Sequence, residues 1–335
     1  MPLLIPRPES LLNIDRPYLL LGLLFAIWKA LLLVLVLLAP GPGYDTSTTL
    51  LPPLLDGSPS SALYSTLLWR VATRLVRWDA LYFTQIARRG YVFEQEWAFG
   101  WGHTQLLGLV ARQIFGNEAG TIEIAAFGVV LSHLFHYGSV LILFELTRLV
   151  LRWANEVERA SSGVQRWRQE STFALLVSTL HILSPAGVFL SAPYAEALFS
   201  MLNFAGMYAY VKATSYGSSL QWQFIAGLWF GLASTVRGNG LFSGTLFVAD
   251  VIVALPELIS LQHWSSAIRK LIFTGFSGIL MAFLAIVPQW LAYRQYCILT
   301  IATERRSWCH SFPPSIYTWV QKEYWLVIPL LLGFH

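Results

Sequence analysis

Asp79 is the residue of this chain best placed for acid–base chemistry, within Arg77-Trp-Asp-Ala-Leu-Tyr-Phe83. The stretch from about Ser65 to Arg89 has neither Gly nor Pro and repeats apolar residues at helical spacing, which predicts one amphipathic helix along a membrane surface. In it, the side chains three and four positions from Asp79 are Leu75, Val76, Tyr82 and Phe83. A carboxylate there is costly without a partner. Asp79 therefore either makes a distant salt bridge or helix-packing bond, or takes a proton from a sugar hydroxyl as a general base.

Three arginines share one face of this predicted helix, at positions i, i+4 and i+7: Arg70, Arg74 and Arg77. Such a row either contacts lipid headgroups or binds a lipid phosphate, because the arginine fork matches two phosphate oxygens. The rings of Trp78 and Tyr82 flank Asp79 in the sequence. We count both with Arg77 as candidate substrate-binding residues.

Two further carboxylates follow in Glu94-Gln-Glu-Trp-Ala-Phe99. If this segment is extended, alternation turns Glu94 and Glu96 to opposite sides. We therefore predict that one of them assists at the site while the other is solvated. Both are candidates for substrate binding.

The segment from Ser184 to Glu196 places Pro185 and Pro193 in and after an apolar run. Prolines interrupt a helix and leave backbone groups unpaired, which is tolerated only where protein or water replaces lipid. The segment therefore predicts the entrance of a water-lined cavity. Glu196 begins the next helix, where it either complements the helix dipole or binds substrate, and Tyr194 is a candidate beside it.

Arg237-Gly-Asn-Gly240 predicts a tight turn whose glycines allow close approach of the backbone. Arg237 and Asn239 offer directional hydrogen bonds to a phosphate or a sugar. The pattern alone is weak. It gains weight because the topology below places it on the same side of the membrane as Asp79.

Composition requires that these motifs sit in a membrane protein, since 56% of the 335 residues are hydrophobic and only 12% are charged. Runs long enough to cross a bilayer as helices lie at about 18–40, 121–148, 172–192, 194–211, 221–236, 241–258 and 271–293. A shorter run covers 324–335, so either the natural chain is longer or this segment does not cross. We predict an all-α, polytopic domain over residues 1–335.

The distribution of cations sets the orientation of the spans. Arginines fill the loop after the second span, Arg269 and Lys270 precede the seventh, and Arg7 and Arg16 lie at the N-terminus. The positive-inside rule makes these segments cytosolic. Parity then places the loop 41–120, both turns and the stretch 294–323 on the other side. Arginines in the loop do not contradict this, because long loops translocate largely regardless of charge.

Three groups of residues outside these motifs, and the net charge, also carry expectations. Lys29 lies in the middle of the first span, so we expect a buried partner for it. His133 and His136 are one turn apart, but without a third ligand we favour packing or hydrogen bonding over a metal. Cys297 and Cys309 could form a bridge in an oxidising compartment. The net charge of +4 is small, and no nucleic-acid partner is expected.

Six motifs in order give the chain a family resemblance. They are Trp78-Asp79-Ala-x-Tyr-Phe83, Ile86-Ala87 with Gly90-Tyr91, Glu94 to Phe99, Ser184-Pro-Ala to Phe199, Arg237 to Gly240, and Trp308-Cys309 with Pro313 to Tyr317 and Tyr324-Trp325. Over roughly residues 10–325 the chain resembles the PIG-V family, the GPI mannosyltransferases of the second mannose step, in a fungal form.

This resemblance implies a GT-C-type enzyme of the endoplasmic reticulum membrane with its active site in the lumen, so that 41–120 becomes a lumenal catalytic loop. Members transfer an α1,6-linked mannose from dolichyl-phosphate mannose to the glycosylphosphatidylinositol (GPI) precursor, with inversion. Asp79 matches the family's acidic residue in the first loop. Arg237 and one or more of Arg70, Arg74 and Arg77 would stabilise the leaving phosphate.

The resemblance also implies no metal or soluble cofactor, and a small membrane subunit as a partner. The family usually continues with further spans after Tyr324-Trp325, where this sequence has only a short apolar tail. Two other functions compete with the enzyme. A lipid transporter or scramblase would show repeated halves, which the sequence lacks, whereas a non-catalytic subunit of a GPI-assembly complex would survive substitution of Asp79.

Overall fold

A computed structural model describes residues 15–40, 62–117, 119–158, 163–215, 220–259, 264–300 and 306–326. Every regular element in these ranges is helical, so the predicted all-α class is confirmed. Eleven α-helices are α1 (Pro17–Leu38), α2 (Ala62–Leu75), α3 (Asp79–Arg89), α4 (Trp101–Phe115), α5 (Thr121–Glu158), α6 (Gly163–Ile182), α7 (Glu196–Ser215), α8 (Leu220–Val236), α9 (Thr245–Ile259), α10 (Trp264–Tyr293) and α11 (Ile316–Val320).

Short 3₁₀ and π-helical segments lie between or after some of these α-helices. Three 3₁₀ segments cover Glu94–Ala98, Gly238–Gly244 and Ser307–His310. Two π-helical turns follow α10 and α11, at Arg294–Ile298 and Gln321–Leu326. The predicted run 324–335 lies outside the described residues beyond Leu326.

Four described segments are long and apolar enough to cross a membrane: Pro17–Leu38, Thr121–Ala154, Gly238–Ile259 and Trp264–Ile298. They make this a multi-pass membrane protein. Crossing by α6, α7 and α8 stays a prediction. The predicted run 172–192 is helical only to Ile182, because the helix stops ahead of Pro185.

One predicted helix is wrong. The stretch from Ser65 to Arg89 forms two helices, α2 and α3, with Val76 to Trp78 outside both. Trp78 has a φ of 46°, a left-handed conformation that a bulky residue rarely adopts. Arg77 therefore does not share a helical face with Arg70 and Arg74, and the predicted row of three cations does not form.

The first-loop helices pack on the long helices instead of standing apart from them. In the bundle, α5 packs against α7, α7 against α8, and α8 against α10. A Cβ on Gly227 of α8 would lie 2.8 Å from the backbone oxygen of Ser277 in α10, so glycine allows this close approach. Val76 and Phe83 share a buried cluster with Leu198 of α7 and Val236 of α8. The bundle therefore fixes the position of α3.

The mid-span lysine has the buried partner that we expected. Lys29 is 6% exposed, and its Nζ donates to the Leu190 carbonyl at 3.0 Å and to the Ser191 Oγ at 2.7 Å. These groups belong to the non-helical segment after α6, where prolines leave carbonyls without helical donors. Lys29 thus donates a hydrogen bond to a backbone carbonyl that has no helical donor inside the bundle.

The two histidines of α5 take the packing and hydrogen-bonding role that we favoured. His133 donates from Nδ1 to the Val129 carbonyl at 2.7 Å. The ring of His136 lies 5.2 Å from Phe25 and 4.9 Å from His181. Within the described ranges, no three His, Cys, Asp or Glu side chains are grouped as a metal site.

Lys29→Met should lower the stability of the folded chain by about 1–3 kcal/mol, because it leaves the Leu190 carbonyl without its donor in a buried place. The midpoint of thermal unfolding in detergent measures the change. Lys322→Met is the control, since that side chain is 74% exposed. Equal midpoints for both variants would show that the Lys29 bonds carry no net stability.

Candidate active site

Three segments distant in sequence bring charged groups together around Asp79. Asp79 is the first residue of α3, Glu196 is the first residue of α7, and Arg237 follows the last residue of α8. Arg237 Nη1 forms an ion pair with Glu196 Oε1, and the charges of both act on Asp79. The Tyr194 hydroxyl donates to the Arg77 carbonyl at 2.8 Å, which ties the segment before α7 to the segment before α3.

The environment of Asp79 favours its protonated form more than water would. Loss of solvent around the carboxyl is the largest cause that raises its pKa, and the negative charge of Glu196 raises it further. The positive charge of Arg237 acts in the opposite direction. The side chain is still exposed at the surface of the protein. Asp79 is therefore an accessible carboxylate with more basicity than an ordinary aspartate.

Glu196 has one oxygen committed to Arg237 and one that is not committed. Its Oε2 is buried and has no hydrogen-bond partner among the described residues. Glu196 thus presents a buried acceptor beside Asp79, of the kind that a ligand hydroxyl could satisfy.

Aromatic rings form the wall next to Asp79. The Trp78 ring stacks on Phe189 with centroids 6.3 Å apart, and the Tyr82 ring stacks on Phe99 at 4.4 Å. Trp78 and Tyr82 keep exposed faces, at 53% and 39%. Backbone strain at Trp78 positions its ring beside the first turn of α3, as strained residues often do at functional sites. The aromatic partners Phe99 and Phe189 were not among the predicted residues.

A close backbone contact positions Arg237 near Asp79. A Cβ on Gly100 would lie 1.8 Å from the carbonyl oxygen of Val236, so only glycine permits the observed approach. This contact joins the start of α4 to the end of α8. Gly100 was not among the predicted residues, although the pair Gly100 and Gly102 around Trp101 was a visible signal.

Two predicted residues do not join the group around Asp79. Glu94 and Glu96 lie in a 3₁₀ helix, not in an extended segment, and both are buried. The prediction that one of them is solvated is therefore wrong. Neither is among the groups whose charge acts on Asp79.

Glu96 is bound within its own loop. Its Oε2 accepts from the backbone N–H groups of Val92 at 2.8 Å and Phe93 at 3.0 Å, and Arg89 forms an ion pair with it. Burial alone would raise its pKa, but the bonds from Arg89 and the two N–H groups outweigh this and lower it. Glu96 therefore stabilises the loop as a carboxylate.

Glu94 joins the first loop to the last described segment. Its carboxylate accepts from Trp308 Nε1 at 3.1 Å and from the Tyr324 hydroxyl at 3.5 Å, and it pairs with Arg306 at 3.3 Å. Cys297 and Cys309 form a disulfide within that segment, with Cα atoms 5.6 Å apart. Sequence reasoning missed Arg306 as a partner of the first loop.

The remaining predicted residue, Asn239, is exposed on the 3₁₀ turn after Arg237. The described structure thus collects Arg77, Trp78, Tyr82, Tyr194, Glu196 and Arg237 around Asp79, whereas Glu94 and Glu96 support the surrounding loops. This arrangement combines a raised-pKa carboxylate, a cation and exposed rings. Such a set suits proton removal from a hydroxyl next to an anionic group.

Residues 20–332 match the family model described as mannosyltransferase (PIG-V). The chain is similar to GPI mannosyltransferase 2 of Aspergillus oryzae, with 37% identity over 97% of this chain and 70% of that protein. It is 37% identical to the protein of the same name in Aspergillus fumigatus, over 95% of this chain and 63% of that protein. It is 38% identical to the GPI mannosyltransferase 2 of Gibberella zeae, over 93% of this chain and 67% of that protein. The chain thus spans about two thirds of these relatives. No solved structure matches it.

The pKa of Asp79 should respond in opposite directions to its two charged neighbours. Glu196→Gln removes a negative charge and should lower the pKa, whereas Arg237→Gln removes a positive charge and should raise it. The pH dependence of esterification by a diazo reagent, which reacts with protonated carboxyl groups, measures both shifts by peptide mass spectrometry.

Glu145→Gln is the control for this titration, since Glu145 pairs with Arg148 in α5, away from the group around Asp79. It should leave the Asp79 midpoint unchanged. Shifts of the same sign for Glu196→Gln and Arg237→Gln would contradict the charge arrangement given above.

Proposed function

The chain belongs to the PIG-V family of mannosyltransferases, and we propose that it adds the second, α1,6-linked mannose to the GPI precursor. The donor is dolichyl-phosphate mannose, and Asp79 is the general base. The observation that carries this assignment is the group of Asp79, Glu196 and Arg237 inside the segment that matches the family. The relatives from three fungi are GPI mannosyltransferase 2 proteins, which supports this assignment.

The reaction is a single displacement at the anomeric carbon. The acceptor hydroxyl oxygen forms a bond to C1 of the mannose while the bond from C1 to the phosphate oxygen breaks. Its electron pair leaves on the phosphate, and the hydroxyl proton passes to Asp79. The β-linkage of the donor becomes an α-mannoside, so one carboxylate base suffices. The raised pKa of Asp79 supports this role, because a stronger base removes the proton more readily.

Cations next to Asp79 act on the leaving group. The phosphate is already ionised and needs no general acid, so positive charge alone stabilises it. Arg237 is the best candidate because it lies at the site, and Arg77 lies on the segment that leads into α3. A phosphate that shares Arg237 with Glu196 would sit beside the uncommitted Glu196 oxygen, which could accept a bond from a sugar hydroxyl.

The surroundings of the site suit a lipid-linked donor in the lumen of the endoplasmic reticulum. The exposed rings of Trp78 and Tyr82 offer apolar faces to a sugar or a polyprenyl chain. A disulfide on the segment bound to Glu94 supports an oxidising compartment for this face. We further propose a GT-C-type architecture without metal or soluble cofactor, and a small membrane subunit as partner.

Asp79→Asn should lower the rate of mannose transfer by about 10²- to 10⁴-fold, because the amide cannot accept the hydroxyl proton. The assay is complementation of cells that lack the second-mannose activity, with their glycolipid intermediates separated and quantified. We expect the one-mannose intermediate to accumulate while the amount of the variant protein stays normal.

Glu145→Gln makes the same carboxylate-to-amide change away from the site and should complement fully. Full rescue by Asp79→Asn would exclude Asp79 as the base and favour a non-catalytic subunit. Failure of the unaltered chain to complement, with normal protein amounts, would contradict the proposed transferase activity itself.

The pairing of Cys297 with Cys309 tests the lumenal placement of this face. If the segment lies in the lumen, a membrane-permeant thiol reagent should label neither cysteine until a reductant is added. Peptide mapping of the chain from isolated membranes measures the labelling. Complete labelling of both cysteines before reduction would place the segment in a reducing compartment.

A further inference from the structure

A cavity lined by polar and apolar side chains lies at the other end of the bundle from Asp79. It has a volume of about 300 Å³ and lies among α7, α8, α9 and α10. Gln223 of α8 lines it, whereas Val236 at the far end of α8 contacts Gly100 beside the candidate active site. Most of α8, roughly 20 Å at 1.5 Å per residue, separates the two places. The cavity is therefore not part of the proposed mannosyl-transfer site.

The floor of this cavity is a buried polar group. Asp250 is 8% exposed and Gln223 is also buried. Gln223 Nε2 lies 3.5 Å from Asp250 Oδ2 and 3.4 Å from Thr274 Oγ1. Lys270 Nζ lies 3.8 Å from Asp250 Oδ1. The charge of Lys270 is thus balanced by the carboxylate of Asp250.

A second cation, Arg269, lies at the mouth of the cavity and is not balanced by a carboxylate of the described residues. Arg269 lines the cavity and is exposed. No carboxylate in the described part of the chain lies within ion-pair distance of it. The cavity therefore has a surplus positive charge at its opening. A guanidinium there can form two parallel hydrogen bonds to a phosphate, and Lys270 can add a third.

The helices that line the cavity also carry exposed apolar side chains. Phe273 lines the cavity, and Ile272 and Phe276 of α10 and Ile252 of α9 are 58–60% exposed. These residues lie in two segments that can cross a membrane. A ligand at the mouth is thus a neighbour of lipid chains. A basic pocket between spans on the cytosolic side matches the requirements of an anionic headgroup.

We propose that the cavity between α7, α8, α9 and α10 binds a phosphate group, supplied by an anionic membrane phospholipid, through Arg269 and Lys270. By the predicted topology this headgroup lies on the cytosolic side, opposite the mannosyl-transfer site. The proposal does not depend on the reaction at Asp79. The phosphate could also come from a soluble anion, and the experiment separates these two sources.

The test measures ligand binding to the purified, delipidated full chain in detergent by native mass spectrometry. The probes are dioctanoyl phosphatidic acid, zwitterionic dioctanoyl phosphatidylcholine and inorganic phosphate. Arg269→Gln with Lys270→Gln should weaken binding of phosphatidic acid by about tenfold or more, since each lost charge-assisted bond is worth about that factor. Arg168→Gln is the control, because Arg168 is 65% exposed on α6 and lies outside the cavity.

A third variant changes binding in the opposite direction. Asp250→Asn removes the carboxylate that competes for Lys270 and should tighten binding of phosphatidic acid. If the unaltered chain binds inorganic phosphate and the double variant does not, the cavity is a phosphate site whose ligand is a soluble anion. Equal binding of phosphatidic acid by the double variant and the Arg168 control, or equal binding of phosphatidylcholine and phosphatidic acid, would overturn the proposal.

Discussion

The site depends on a helix that is allowed to break inside the bundle. Residues between α6 and α7 leave the helical path, which would strand backbone carbonyls away from water. The Lys29 ammonium donates to one such carbonyl, that of Leu190, and to the side-chain hydroxyl of Ser191. The non-helical segment can then hold Tyr194 and Glu196 next to the first turn of α3. Without Lys29, the Leu190 carbonyl would lose its donor in a buried place, at a cost of about 1–3 kcal/mol.

The chemistry of Asp79 is set by a balance of long-range contacts. The arginines of its own helix lie in the last turn and do not act on it, whereas α7 and the end of α8 supply Glu196 and Arg237. The first loop is held in place from a third direction, because Glu94 binds Arg306 and Trp308 of the disulfide-closed segment. Three distant parts of the chain thus contact the first loop or act on its carboxylate.

Sequence reasoning succeeded where one local rule governs the outcome. The break after α6 follows from Pro185, and the partner of Lys29 follows from the cost of an unpaired ammonium in lipid. It failed between Ser65 and Arg89, because apolar spacing cannot reveal that Trp78 adopts a left-handed conformation. It also failed at Glu94 and Glu96, since Glu96 closes a short 3₁₀ helix by bonding to the backbone of its own loop.

By itself, the sequence determined that the chain is an all-helical membrane protein, because long apolar runs leave the backbone no other way to pair in lipid. It also determined which residue types were available for proton and phosphate chemistry. Only the tertiary structure decided which of them meet. Asp79, Glu196 and Arg237 are brought together by packing of α3, α7 and α8. The periodicity of a single helix contains no information about such contacts between helices.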